Sequence, residues 1–273
     1  MNKKQPPQRT GSHKEVHAYG STKSRGQAKR SVGNPILYVV MTVIIALIVF
    51  AVLSFTVLFN VKTIVVVGGS YYSDEQIVSA GGIKTGQSLL KSNLDKAAKN
   101  ISAELPYVKS VTATPDFFSG KVTYTVTDDT VFYSLKDGKE WLLLSNELRC
   151  LERAAKAANG SVKLTGIKPN SDATGTSFTT DTPEKEQLAV KIAAQFKEMS
   201  LSSVTSLDIT DYVSVKFSYN DSVEVWLGDP TELSAKLGAA KKILTSELVG
   251  KKGVLRVTNP KKIVFAEEAS VTP

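Results

Sequence analysis

Residues 36–59 read ILYVVMTVIIALIVFAVLSFTVLF, an apolar run of 24 residues without one charged side chain. As a helix the run is about 36 Å long. It therefore crosses the hydrocarbon core of a bilayer, which is about 30 Å thick, with some tilt. The core helix of a soluble protein carries a polar stripe, which this run lacks. A cleaved signal peptide has an apolar stretch of only about 7–15 residues, and residues 58–61 (LFNV) are a poor cleavage site. The run predicts an uncleaved transmembrane helix.

The charge of the chain is concentrated before this helix. Residues 1–35 hold eight basic side chains and a single acidic one, Glu15, and account for most of the formal net charge of +8. The positive-inside rule then places the N-terminus in the cytoplasm and residues 60–273 outside the cytoplasmic membrane. The tail 1–35 is rich in Gln, Pro, Ser, Gly and Lys and is predicted to be disordered. It is expected to contact anionic membrane lipid, with a docking motif for a cytoplasmic partner as the alternative.

The exported residues are almost neutral, which excludes the basic face that a nucleic-acid-binding domain needs. Residues 60–128 carry the pattern of two helices packed on a three-stranded sheet. The predicted elements are a strand over 61–67, a helix from Ser73 to about Ala80, a helix over 93–104, and strands over 107–114 and 121–127. Ser73 and Gln76 form a capping box at the start of the first helix, and Gly81-Gly82 stops it.

Residues 129–268 predict a second domain, a mixed β-sheet with two packed helices. The predicted strands cover residues 131–134, 140–144, 148–151, 162–167, 204–209, 213–219, 223–227, 253–257 and 261–266. One helix is predicted over 183–199, and another is predicted to begin at Asp229, with Asp229 as its N-cap and Pro230 in its first turn. Residues 169–182 are predicted to be an exposed loop and residues 269–273 a C-terminal tail. The fold class is therefore α+β.

The order of these segments resembles the FtsQ/DivIB cell-division family. After a basic tail and one helix, residues 61–90 (VKTIVVVGGSYYSDEQIVSAGGIKTGQSLL) look like the start of that family's POTRA domain. The matching positions are Ile64, Val66 and Gly68 in the strand, Ser73, Ile77 and Gly82 in the helix, and Gly86 and Leu89 after it. Residues 105–128 resemble the domain's closing hairpin, although 114–118 (TPDFF) depart from the family pattern, and residues 213–244 resemble the later β domain.

The resemblance implies a β-α-α-β-β POTRA domain in a non-enzymatic divisome scaffold. Such a protein would bind membrane division proteins of the FtsL and FtsB/DivIC types and help control septal peptidoglycan synthesis. Its expected location is the division septum, as a single-pass protein of the cell membrane, with the septal peptidoglycan synthase complex as a further partner. The alternative is another POTRA-bearing anchored interaction module, in secretion or envelope assembly. A membrane-anchored hydrolase is a third hypothesis.

Catalytic sites that depend on histidine or on several cysteines cannot form in the exported part. Both histidines, His13 and His17, lie in the basic tail, and Cys150 is the one cysteine. A disulfide, a Ser-His-Asp triad and a zinc cluster are therefore all excluded there. The serines nearest the membrane, Ser70 and Ser73, lie in turn and cap contexts that do not favour a Ser–Lys dyad. No catalytic residue, metal or cofactor is expected.

The remaining candidate sites are one pair of acidic residues and the two tryptophans. Asp128 and Asp129 would point to opposite sides of an extended strand and are predicted to lie in a solvated loop. Trp141 and Trp226 are predicted to pack in the core, with a role as interface anchors as the alternative.

The last predicted strand is the candidate partner-binding site. An open sheet edge accepts a partner strand through its backbone hydrogen bonds. Residues 261–267 (KKIVFAE) place apolar residues on both faces between charged ends. The predicted contact residues are Ile263, Val264, Phe265 and Ala266. An ordinary edge strand protected by its flanking charges is the alternative.

Overall fold

The computed structural model describes residues 34–170 and 173–267. The predicted terminal tails, 1–35 and 269–273, lie outside the described residues apart from Asn34 and Pro35. Helix α1 spans Pro35–Leu58, 24 residues, and is long and apolar enough to cross a membrane. The hydroxyl of Thr42 donates to the backbone carbonyl of Tyr38 at 2.8 Å, so this hydroxyl is already satisfied within the helix.

A small domain follows the helix and has the predicted strand–helix–helix–strand–strand order. Its elements are β1 (Thr63–Val67), α2 (Asp74–Gly81), α3 (Leu94–Glu104), β2 (Val108–Asp116) and β3 (Lys121–Asp128). The strand order is β1-β3-β2, with β1 parallel and β2 antiparallel to the central β3. Val122, Tyr124 and Val126 alternate along β3 into the core beneath the helices.

The helix ends of the small domain follow from the local sequence. Ser73 caps α2, with both hydrogen bonds of the capping box to Gln76 present, and Gly82 ends the helix at φ +68°. Gly81 is helical, and it is required for a different reason than its neighbour. A Cβ at position 81 would lie 2.8 Å from the Tyr124 hydroxyl oxygen, so only glycine lets α2 lie this close to β3.

A large domain contains a nine-stranded mixed sheet and two helices. Its strands are β4 (Tyr133–Asp137), β5 (Glu140–Leu144), β6 (Cys150–Ala154), β7 (Val162–Thr165), β8 (Val204–Asp208), β9 (Val215–Tyr219), β10 (Val223–Gly228), β11 (Gly253–Asn259) and β12 (Lys262–Glu267), and its helices are α4 (Pro183–Glu198) and α5 (Leu233–Ser246). The strand order is β12-β11-β10-β9-β8-β7-β4-β5-β6.

The two helices cover one face of this sheet because of how they connect it. α4 joins β7 to β8 and α5 joins β10 to β11, and both strand pairs are parallel, so each connection is a crossover. Both crossovers step in the same direction across the sheet between strands of the same orientation. Right-handed connections therefore place both helices on the same side, where their apolar faces share one core with the inner face of the sheet.

Two local predictions in the large domain are wrong. α5 begins at Leu233, and its N-cap position is Glu232 in the left-handed region, without a side-chain cap bond. Asp229 does not cap it, because its carboxylate accepts hydrogen bonds from Thr231 and from the Lys236 ammonium instead. The segment 169–182 is not wholly exposed, since Phe178 within it is fully buried in the core.

Candidate protein interface

Strand β12 is one edge of the nine-stranded sheet. It pairs antiparallel with β11, with Phe265 opposite Leu255 and Val264 opposite Arg256. Among the described residues no strand pairs with its other side. The backbone groups on that side therefore have no partner within the sheet, which is the geometry that strand addition requires.

The four predicted contact residues of β12 divide between two faces. Ile263 and Phe265 are half-buried and pack against the core of the large domain. Val264 is 50% exposed and Ala266 is exposed, on the opposite face. The structure thus brings all four to the edge, but the first two hold the strand in place and the other two are accessible.

A glycine allows β12 to lie close to its neighbour at the end of the strand. A Cβ at Gly253 would lie 2.2 Å from the carbonyl oxygen of Ala266 and 3.0 Å from the Phe265 ring. Any other residue at the start of β11 would therefore push away the accessible end of β12.

A tryptophan lies on the face of the sheet opposite the helices. The Trp226 ring lies between two cations, with the Lys216 ammonium 4.9 Å and the Arg256 guanidinium 4.8 Å from the ring centroid. Arg256 is opposite both Trp226 and Val264. A row of side chains therefore crosses this face of the sheet to the open edge: Lys216, Trp226, Arg256 and Val264. The prediction that Trp226 and Trp141 pack in the core is wrong, since both are only half-buried. The alternation of β10, with Val225 and Leu227 buried, already placed Trp226 on the polar face.

The small and large domains are joined by directed polar contacts. Arg149, before β6, donates to the carbonyls of Ser102 and Val108 in the small domain and to that of Gly175 in the large one. Lys109 forms a 2.6 Å ion pair with Glu147 beside it. These contacts fix the junction, and no sequence pattern had pointed to Arg149.

The two acidic residues predicted in a solvated loop are structural. Asp128, at the end of β3, accepts hydrogen bonds from the backbone N–H and the hydroxyl of Ser70, at 2.5 and 3.0 Å. Asp129 is 6% exposed, and its N–H donates to the carbonyl of Tyr107 at 2.8 Å. The prediction of a solvated loop is therefore wrong for this pair. The hydroxyl of Ser70 donates to the Asp128 carboxylate, and the hydroxyl of Ser73 accepts from the N–H of Gln76 in the capping box. Neither of these bonds involves the lysine that a Ser–Lys dyad requires.

Within the described ranges, no group of three or more His, Cys, Asp or Glu side chains is placed to hold a metal ion. Cys150 is fully buried, and burial raises the pKa of its thiol, which keeps it protonated and poorly nucleophilic.

Comparison with known proteins agrees with this architecture. Residues 59–123 match the family model of the FtsQ-type POTRA domain. The chain is 24% identical over 202 residues to the cell division protein DivIB of Clostridium acetobutylicum, covering 73% of this chain and 80% of that protein. It is 26% identical over 215 residues to DivIB of Clostridium botulinum strain Hall, covering 76% of this chain and 81% of the relative. The small domain is thus an FtsQ-type POTRA domain, and over most of its length the chain is similar to cell division proteins of the DivIB type.

Proposed function

We propose that this protein is a non-enzymatic scaffold of the divisome. Its similarity to DivIB proteins supports a role in cell division. In this proposal the exported part binds single-span division proteins of the FtsL and FtsB/DivIC types, and the assembly helps control septal peptidoglycan synthesis. The anchor is α1, with the N-terminus in the cytoplasm and residues 60–273 outside, divided into a POTRA domain over 60–128 and a β domain over 129–268. The protein would concentrate at the division septum.

The open edge of β12 is the observation that supports partner binding most directly. A strand from the partner would continue the sheet, with affinity from backbone hydrogen bonds and selectivity from the side chains that face it. Ile263 and Phe265 already pack on the core, so the edge is ordered before the partner arrives, which lowers the entropic cost of binding. Val264 and Ala266 remain accessible to the partner's side chains.

The two cations in the row beside the edge favour a partner that carries negative charge. Arg256, on β11, is one strand from β12, and Lys216, on β9, is three strands away, with Trp226 on β10 between them. A partner that carries acidic residues beside its added strand would pair with these cations, while Trp226 supplies apolar contact area.

Matched valine substitutions test the edge. Val264→Asp adds a charge at the edge strand, whereas Val249→Asp adds the same charge at an exposed valine in the α5–β11 connection. The full-length protein is used in detergent to capture an FtsB/DivIC-type partner. We expect Val264→Asp to lose most of the captured partner and Val249→Asp to retain it. Equal capture by both variants would exclude β12 as the binding site.

A fluorescent fusion tests the proposed location. The fusion should form a band at midcell during septation, and depletion of the protein should give filamentous cells. An even distribution around the envelope would instead favour a role in secretion or envelope assembly.

A further inference from the structure

Three segments of the small domain converge where the chain leaves α1. The N–H of Leu89 donates to the carbonyl of Phe59 at 2.7 Å, and the N–H of Lys62 donates to the carbonyl of Gly120 at the same distance. The N–H of Val61 also donates to the carbonyl of Gln87 at 2.8 Å. The β2–β3 turn and the segment around Leu89 are thus fastened to the residues that directly follow the apolar helix.

The sheet topology explains why the β2–β3 turn lies there. β1 and β3 are parallel, with Thr63 opposite Lys121, so both begin at the same end of the sheet. β2 is antiparallel to β3 and ends there, with Asp116 opposite Lys121. The turn over 117–120 must therefore project from the end of the small domain at which α1 is attached.

This end exposes large apolar side chains. Phe118 is 98% exposed, Leu90 is 57% exposed, and Phe117 packs edge-on against Phe59 with ring centroids 6.3 Å apart. Leu90, Pro115 and Phe117 line one groove at this end of the domain, and Phe118 directly follows Phe117. Large apolar side chains exposed together at one end of a domain mark a surface that contacts something apolar.

Phe118 is presented by an ordered turn. The carboxylate of Asp116 accepts from the N–H of Phe118 at 3.1 Å and from the hydroxyl of Ser119 at 2.7 Å. The side chain therefore projects outward by construction, since these bonds fix the backbone on either side of it.

Exposed lysines surround the apolar side chains. Lys62, Lys91 and Lys121 all lie at this end of the domain, beside Gly120, after Leu90 and after the β2–β3 turn respectively. Lysines around an apolar centre are typical of surfaces that lie on anionic lipid, where each contributes about 1 kcal/mol.

We propose that Phe118, Leu90, Phe117 and the three lysines form a lipid-contact surface that rests on the outer leaflet of the membrane crossed by α1. Phe59 directly follows Leu58, so its Cα is about 3.8 Å beyond the end of the helix. The headgroup layer of one leaflet is about 5–8 Å thick, and Phe117 contacts Phe59. The turn thus lies at the depth of the headgroups, with Phe118 at the acyl boundary and the lysines on anionic headgroups.

This inference rests on the proposed anchoring of α1 and adds a second lipid contact, separate from that of the basic tail. A direct test places an environment-sensitive NBD label on Phe118→Cys or Leu90→Cys in the full-length protein, reconstituted alone in vesicles of phosphatidylcholine and phosphatidylglycerol. Val249→Cys, an exposed site in the large domain, is the matched control. The native Cys150 is buried and should take no label in the unsubstituted protein.

We expect blue-shifted NBD emission at positions 118 and 90, quenched by nitroxide lipids with a shallow spin label, and water-like, unquenched emission at 249. Water-like emission at both 118 and 90 would overturn the inference. Shielding that appears only after a second membrane protein is added would also overturn it, because the surface would then bind protein. Alkaline carbonate extraction separates the two failures: release of the chain from the vesicles contradicts the anchor itself, whereas retention with water-like labels contradicts only the lipid-contact surface.

Discussion

The hydroxyl of Tyr107 donates a 2.7 Å hydrogen bond to the carboxylate of Glu152, and so connects the small domain to the large one. Tyr107 is 8% exposed, and its ring stacks on that of Tyr71 with centroids 3.8 Å apart. Burial, and then the bond to Glu152, raise the pKa of the Tyr107 phenol far above its usual range. The folded junction therefore contains a phenol that stays protonated in alkaline solution.

The first prediction is a loss of stability in alkaline solution. A tyrosine in the unfolded chain ionises near pH 10, whereas the raised pKa keeps Tyr107 neutral in the folded protein. Its contribution is fully present below pH 10 and decreases as the pH rises further, by up to about 1.4 kcal/mol per pH unit. Urea unfolding at pH 9 and at pH 11 measures the decrease.

The variant Tyr107→Phe assigns part of that decrease to this residue. It should unfold with about 1 kcal/mol less free energy at pH 8, because it loses one hydrogen bond at a partly exposed carboxylate. Its stability should also decrease less steeply above pH 10 than that of the unsubstituted protein. Identical slopes for the two proteins would show that the Tyr107 phenol does not remain neutral in the folded state.

The second prediction concerns the contacts of Arg149. Arg149→Ala removes the donor for three carbonyl groups at the domain junction and should lower the free energy of unfolding by about 2 kcal/mol. Lys109→Ala breaks an ion pair whose side chains are 38% and 55% exposed and should cost less than about 1 kcal/mol. Urea denaturation of both variants measures the difference, and equal effects would mean that Arg149 is only a surface charge.

The third prediction is a compensating pair in the small domain. Gly81→Ala places a Cβ 2.8 Å from the hydroxyl oxygen of Tyr124 and should cost about 1–3 kcal/mol through overpacking. That hydroxyl is buried and has no hydrogen-bond partner among the described residues, so Tyr124→Phe should be almost neutral. The double variant should recover part of the loss, because the obstructing oxygen is gone. Strictly additive effects in the double-mutant cycle would contradict the close contact.

The sequence predicted those features of the fold that depend on residues close together along the chain. The capping box of Ser73 and Gln76 and the alternation of Val122, Tyr124 and Val126 involve neighbours along the chain, so the order of elements in the small domain followed from them. Phe178 could not be predicted as a core residue, because its burial depends on residues that are distant in the sequence and come together only in the folded domain.

Competition between local partners explains another failure. Asp229 has the sequence of an N-cap, but the Lys236 ammonium, on a side chain only 2% exposed, needs acceptors. Asp229 supplies one carboxylate oxygen and its own carbonyl oxygen from a position before the helix. At the candidate interface, the sequence predicted β12 as an edge strand. The pairing of β12 with β11 and the position of Arg256 beside the Trp226 ring depend on strand register, which the sequence does not reveal.

The fourth prediction connects the fold to the proposed binding edge. Gly253→Ala would place a Cβ 2.2 Å from the carbonyl oxygen of Ala266, and so should displace the end of β12 without changing its own sequence. Partner capture should fall several-fold, whereas Gly238→Ala, at an exposed position of α5 where an added Cβ meets nothing within 4 Å, should leave the edge in place. The two variants are compared at equal concentrations of folded protein, and unchanged capture by Gly253→Ala would show that the partner does not use this end of β12.

Amide hydrogen exchange over residues 262–267 tests the proposed scaffold role most directly. The full-length protein is compared alone and in complex with an FtsB/DivIC-type partner. If the partner adds a strand to β12, the outward amides of this segment become hydrogen-bonded, and their exchange slows by at least about tenfold, the factor that corresponds to about 1.4 kcal/mol of protection. A complex that forms while exchange over 262–267 stays unchanged would contradict binding at this edge.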